Sequence, residues 1–273
     1  MLLPHRNTGR RLVRLLLASV LLGACATGHE RFGPPPPRGE LRLDTESVAR
    51  LRHASVLGTT GSSSATLTGA STLARVAPLL LVVLRNDGKA NELDQRLKEC
   101  AMQAERQVNS PLFGNREPTR EECGEELDVD GCGEPITRAM LLGRQKHDIA
   151  LACAREVLKQ LWPTPFSIEQ RYRFYPRNRI VEAISHAEEQ QLIKRGCTDK
   201  LRNTIKPDIV LHADYNLLQA LLIIDLKFPC PPSNTPRWRE YDRASPYAGS
   251  NQGKVYKDAL GGEALRLTPR GIF

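Results

Sequence analysis

A chain of 273 residues can bury one sizeable core and hold a smaller unit beside it. Its formal charge of +8 is unevenly spread: residues 136–273 carry 22 Lys plus Arg against 14 Asp plus Glu, while the stretch from Cys25 to Pro135 is net acidic, 13 against 17. A basic C-terminal half points to a polyanionic partner; the apolar runs are too short to cross a bilayer as mature helices, and with no CxxC pair a zinc knuckle is disfavoured.

Met1 to Ala24 reads as a targeting segment, with a basic front (Arg6, Arg10, Arg11, Arg14), an apolar run from Leu15 to Leu22 and small residues leading to Cys25. The "LLGAC" ending resembles the bacterial lipobox, in which the chain is cut before the cysteine and that cysteine is acylated. The resemblance implies lipidation at Cys25 and, because Ala26 is not Asp, an outer-membrane lipoprotein anchored by its lipid. An ordinary secretory signal with an incidental cysteine is the plainer reading. Residues 25–74, with "GPPPPRGE" and "GTTGSSSATLTGAST", hold too little apolar surface to offset ordering entropy and read as a disordered tether.

Residues 75–135 read as a mostly helical middle unit, interrupted at Pro78 and with a turn at Asn86-Asp87-Gly88. The block Val76 to Leu84 is favoured as a buried element over a membrane-surface one. Six cysteines remain beyond Cys25, enough for three disulfides in an oxidising compartment, and Cys123 with Cys132 is the easiest pair to imagine.

From Ile136 the pattern strengthens. A helix ending at Pro163 sets Met140, Gly143, His147, Ala150, Leu151, Ala154, Val157, Leu158 and Leu161 on one face. "FSIEQRYRFYP" alternates as a strand with Tyr172 and Phe174 on one side; "RYRFYPRNR" is read as a solvated face with its aromatics in the core rather than as a nucleic-acid track. A further helix closes near Gly196. Asp208 to Ala213 and Leu218 to Phe228 read as a hairpin turning at Asp214, Tyr215 and Asn216.

Charges at the end of so apolar a strand need a partner. With a loop of two or four residues Asp208 lies opposite Ile223, on the face that Asp225 and Lys227 share, whereas an odd loop or a bulge shifts this register. Two carboxylates and an ammonium make a site for a hard cation, Mg²⁺ or another divalent ion such as Mn²⁺, suited to phosphodiester hydrolysis.

"PD" at Pro207-Asp208 and "DLK" at Asp225-Leu226-Lys227 resemble the PD-(D/E)xK, or restriction-endonuclease-like, nucleases. Gln252 and Tyr256 resemble the QxxxY helix of the RecB-like branch, and Gly143 with His147 its GxxxH helix, where the histidine can be a metal ligand. The plainer readings are helix packing for Gln252 and Tyr256 and a satisfied core histidine for His147. The resemblance covers residues 136–273 and implies an α/β class, a restriction-endonuclease-like core of mixed sheet flanked by helices. It implies metal ligation by Asp208, Asp225 and His147, with Lys227, Gln252 and Tyr256 completing the catalytic set. The family's acidic residue on or beside the first helix has no single counterpart among Glu156, Glu169 and Glu182.

Lipobox, tether, middle unit and nuclease together resemble the swarm-inhibition polymorphic toxins that myxobacteria deliver by outer-membrane exchange. That resemblance implies an escort role for residues 75–135, action on nucleic acid in a recipient's cytoplasm and a cognate immunity protein. The alternative is a non-catalytic outer-membrane lipoprotein whose degenerate nuclease fold binds anionic partners; membrane damage by the short block at Val76 to Leu84 is a weaker third.

Overall fold

The computed structural model describes residues 84, 87–114, 116–131, 133–194, 201, 204–212 and 215–273. The signal, the tether, Cys25, the block Val76 to Leu84 apart from Leu84 itself, Pro78, Cys132, Cys197, Gly196 and the turn residue Asp214 therefore lie outside the described residues. The class is α/β, with mixed sheets and helices.

Helix α1 (Asp87–Phe113) begins at the expected turn rather than after it. Ala90, Leu93, Leu97, Ala101, Ala104 and Val108 recur at three- and four-residue intervals, so one face is apolar and buried. Helix α2 (Arg120–Gly124) carries a reciprocal capping box between Thr119 and Glu122. Strands β1 (Glu126–Val129) and β2 (Pro135–Thr137) pair antiparallel and lead into helix α3 (Arg138–Leu161), capped by the Thr137 side chain.

The inner face of α3 agrees with its pattern from Ala150 onward but not before. Met140 is exposed and Gly143 partly so; Leu142 and Lys146 are buried instead. The cause is α1, whose Val108 and Phe113 receive Leu142 and whose Glu105 lies 3.6 Å from the Lys146 ammonium.

A five-stranded sheet runs β10 (Gly271–Ile272), β9 (Glu263–Thr268), β8 (Ala220–Leu226), β7 (Ile209–His212), β3 (Phe166–Ile168), antiparallel throughout except for the parallel pair β8 and β9. A smaller sheet runs β5 (Ile180–Ala183), β4 (Tyr172–Tyr175), β6 (Thr204–Ile205). The segment expected as one strand is therefore two, in different sheets. Glu169, at φ 51°, turns the chain between them, and Tyr172 and Phe174 are buried as expected. Helix α4 (His186–Lys194) follows β5, with Ser185 Oγ accepting from Glu188 N–H.

Both faces of β8 are covered, which explains its unbroken apolar run. Leu222, Ile224 and Leu226 meet α1 and α3 in one core; Ile223 and Val210 meet helix α5 (Gln252–Leu260) and the small sheet in another. Thus α1 shares an interior with the basic half, and the expected boundary at 135/136 falls inside β2.

The pairing expected for Cys123 with Cys132 is not formed: Cys123 bonds Cys230, and Cys100 bonds Cys153. The first ties α2 to the chain just beyond β8; the second staples α1 to α3. Both span far more chain than the short acidic loop, 107 and 53 residues, and follow from tertiary packing rather than sequence proximity.

Candidate active site

The register of the β7–β8 hairpin decides which side chains meet. Ile209 pairs with Ile224, Val210 with Ile223 and Leu211 with Leu222, so continuing the ladder one step sets Asp208 opposite Asp225, two residues from the expected Ile223. The connection is longer than expected, because the strands end at His212 and Ala220. Between His212–Ala220 and Leu211–Leu222 the register shifts by one residue, a bulge at Leu221. Without it Asp208 would face Ile224 and point to the wrong side of the sheet. The bulge is braced by Gly262, at φ +67°, where an added Cβ would lie 2.6 Å from the Ala220 carbonyl oxygen.

Asp208 and Asp225 are both buried, 8 and 3 % exposed. Asp208 Oδ2 accepts from the Leu226 backbone N–H at 2.6 Å, which locks it against the end of β8. Lys227 forms an ion pair with Asp225 Oδ2 and donates to Gln252 Oε1 at 2.8 Å. Gln252 Nε2 donates to the Tyr256 hydroxyl at 2.6 Å and lies 3.4 Å from Asp225 Oδ1. The Tyr256 hydroxyl is 3.2 Å from both Asp225 Oδ1 and the Lys206 carbonyl. From the opposite side of the sheet, α3 brings His147 Nδ1 to 3.5 Å from Asp208 Oδ2, with its ring edge-on to Phe228.

All six expected site residues therefore converge at the C-terminal end of β8. His147 is half-buried, with Asp208 as its partner and Phe228 against its ring, and is not the fully buried histidine of this core. That role belongs to His212, fully buried, which donates Nδ1–H to the Gln219 carbonyl and accepts at Nε2 from Ser167, and whose burial lowers its pKa to about 4.

Burial is the largest influence on the ionisable groups of the cluster. Burial, then the charge of Asp208, raises the Asp225 carboxyl from 3.8 to about 6, although Lys227 and His147 pull the other way. Burial alone would depress His147, but its hydrogen bond to Asp208 and the charges of Asp208 and Asp225 outweigh it and leave its pKa raised. Burial and the same two carboxylates hold the Tyr256 phenol neutral, well above its ordinary value.

The raised Asp225 pKa makes stability depend on pH. The native state keeps a proton that the unfolded chain loses above pH 3.8, so this group's stabilisation is complete below pH 3.8 and lost as pH rises through about 6, on the order of 3 kcal/mol. Asp208→Asn is expected to lower the Asp225 pKa below 6, read by carbon-detected NMR titration of the carboxyl. An unchanged titration would assign the shift to burial alone.

None of the three glutamates considered from sequence turns its carboxylate into this cluster. Glu156 pairs with Lys159 on the surface, Glu182 with Arg173 and Glu169 with Lys206. Glu169 is nearest by backbone, its N–H donating to the Asp208 carbonyl at 2.9 Å. Among the described residues no three His, Cys, Asp or Glu side chains gather as a ready-made metal cage. The donor set still suits a hard cation, since two carboxylates stand opposed at the end of β8 and Mg²⁺ needs only one or two protein carboxylates.

Sequence reasoning missed Trp238. Its indole lies 5.7 Å from Lys227 Nζ and 5.7 Å from the Arg266 guanidinium, and edge-on to Tyr256. It also packs on Gly253, where an added Cβ would sit 2.4 Å from the ring. The only sequence signal was Gly253 itself, a poor helix former in the first turn of α5. Gly253→Ala is expected to displace the indole, shift tryptophan emission and lower any activity of the site by ten- to a hundredfold, roughly the cost of an ångström of misplacement. Unchanged emission and rate would show that Trp238 does not hold Lys227.

Comparison with family models, with characterised proteins and with solved structures finds no match to the chain. The functional reading rests on the geometry of these residues.

Proposed function

We propose that the chain is a metal-dependent nuclease with the active centre at Asp208, Asp225 and Lys227 on a restriction-endonuclease-like core. The observation that carries this reading is the Asp208–Asp225 pair, directly opposed at the end of a buried hairpin with Lys227 bonded to the second acid. The αβββαβ order of α3, β3, β7, β8, α5 and β9, with helices on both faces of a mixed sheet, agrees with it.

Asp208 and Asp225 would hold Mg²⁺ or Mn²⁺, with His147 beside Asp208 as a further ligand or as its hydrogen-bonded support. When bound, the ion polarises a phosphoryl oxygen and lowers the pKa of a water. The chain's own groups divide the remaining work. The Lys227 ammonium has three N–H donors; Asp225 and Gln252 engage two, leaving one to stabilise charge developing on the phosphoryl oxygen. Gln252 fixes Lys227 and is itself fixed by Tyr256, whose neutral hydroxyl has Asp225 within reach. Water attack forms one P–O bond and breaks the bond to the leaving sugar oxygen, which takes up a proton.

The delivery half of the proposal rests on the first 135 residues: an outer-membrane lipoprotein acylated at Cys25, carried by outer-membrane exchange into a recipient, with an immunity protein protecting kin. A non-catalytic anion-binding lipoprotein is the second reading, and one observation favours it: both oxygens of Asp225 already have partners within the chain. One assay separates the two. Full-length protein incubated with plasmid DNA, total RNA and tRNA, with Mg²⁺ or with EDTA, is expected to degrade at least one substrate in Mg²⁺ alone. Retention of nucleic acid without metal-stimulated cleavage would establish the second reading instead.

A further inference from the structure

Twenty-four residues separate Lys227 from Gln252, and most of them form no helix or strand. Structureless loops of this length are uncommon in a compact body and are usually either functional or disordered. This one folds back on itself through the bridge between Glu240 and Asn251, with Tyr241 N–H donating to the Ser250 carbonyl and Gln252 N–H to that of Arg239. It is pinned to the small sheet as well: the Tyr247 hydroxyl donates to the Phe174 carbonyl at 3.0 Å, and the two rings stack. The loop thereby becomes one wall of a cleft of about 1050 Å³ whose lining also includes Thr204 to Lys206, and Gln252 and Tyr256 of the candidate active site.

Three cations line this cleft, but they are not equivalent. Arg171 is bonded to Glu189 and Thr204, and Lys206 is paired with Glu169 and Glu189. Arg239 is exposed and its side chain makes no hydrogen bond or ion pair among the described residues. Beside it Tyr241 is half-buried, edge-on to Tyr247, and its hydroxyl is close enough to feel the charges of both Arg239 and Asp225. Glu134, Glu240 and Asp242 share the lining, so no continuous positive track exists there for a duplex backbone.

An aromatic ring and one guanidinium, in a walled cleft beside a buried carboxylate, match the way unpaired strands are held, by base stacking with local phosphate contact. We propose, building on the nuclease reading, that Arg239 and Tyr241 form the subsite for an unpaired nucleotide next to the bond being cut, so that the substrate is single-stranded nucleic acid.

The test uses full-length protein in EDTA and short fluorescein-labelled oligonucleotides of matched sequence: single-stranded DNA, single-stranded RNA and the duplex, followed by anisotropy and then by cleavage in Mg²⁺. The expected result is at least tenfold tighter binding and faster cleavage of one or both single strands. Tyr241→Ala and Arg239→Ala should each weaken that binding about tenfold, while Tyr241→Phe keeps it, since the ring and not the hydroxyl stacks on a base. The two single-stranded arms decide between DNA and RNA. Equal binding and cleavage of the duplex, or Tyr241→Ala binding as well as the parent, overturns the subsite while leaving the nuclease reading standing. Single-strand binding that is lost in Tyr241→Ala, with no cleavage in Mg²⁺, supports the subsite and overturns the nuclease reading.

Discussion

Asp225→Asn is expected to reduce Mg²⁺-dependent cleavage by at least about a thousandfold while the protein stays folded. The amide matches the carboxyl in size and keeps an acceptor for the Tyr256 hydroxyl, but it removes the one charge that both Lys227 and a divalent ion would share. Lys227→Ala should cost about a hundred- to a thousandfold by a different route, because it removes the donor aimed at the developing charge and frees Gln252. A second readout separates metal binding from chemistry: Mg²⁺ should raise the melting temperature of the parent and of Lys227→Ala, but not of Asp225→Asn. An Asp225→Asn protein that melts normally and still cleaves at the parental rate would remove Asp225 from the mechanism.

The second large effect concerns the disulfides. In the chain-entropy account, the Cys100–Cys153 bond closes 53 residues and is worth about 4 kcal/mol, and Cys123–Cys230 closes 107 residues and is worth about 5 kcal/mol. The total stability of a domain is only about 5–15 kcal/mol. Reduction, or the paired changes Cys100→Ala with Cys153→Ala, should therefore move the urea midpoint far down. Identical midpoints with and without dithiothreitol would show that neither bond carries stability.

Much of the site was legible because it obeys the two-residue period of a strand and the four-residue period of a helix. Asp225 and Lys227 must share a face, and Gln252 and Tyr256 must stack along α5, whatever the rest of the fold does. The pairing of Asp208 with Asp225 was legible in parity but not in register. Parity survives only because the bulge at Leu221 offsets the loop, and a bulge held by the distant Gly262 leaves no local mark. Trp238 escaped for a similar reason: its neighbours Lys227, Gly253 and Arg266 lie on three different elements. Glu169 illustrates the limit of periodicity, since a run that alternates without a break gives no sign that one residue in the left-handed region divides it between two sheets.

The place of α1 bears on how such a protein could be transported. Leu93, Leu97 and Ala101 lie in the same interior as β8, and Cys100 holds that helix covalently to α3. A protease cutting just ahead of Ile136 would liberate no self-sufficient C-terminal body: the severed helix would remain chained to its neighbour in oxidising surroundings, and after reduction its departure would leave an apolar scar. Residues on α1 and the C-terminal half accordingly travel as a single parcel, and threading that parcel through a narrow pore would first require a thiol donor to unfasten it.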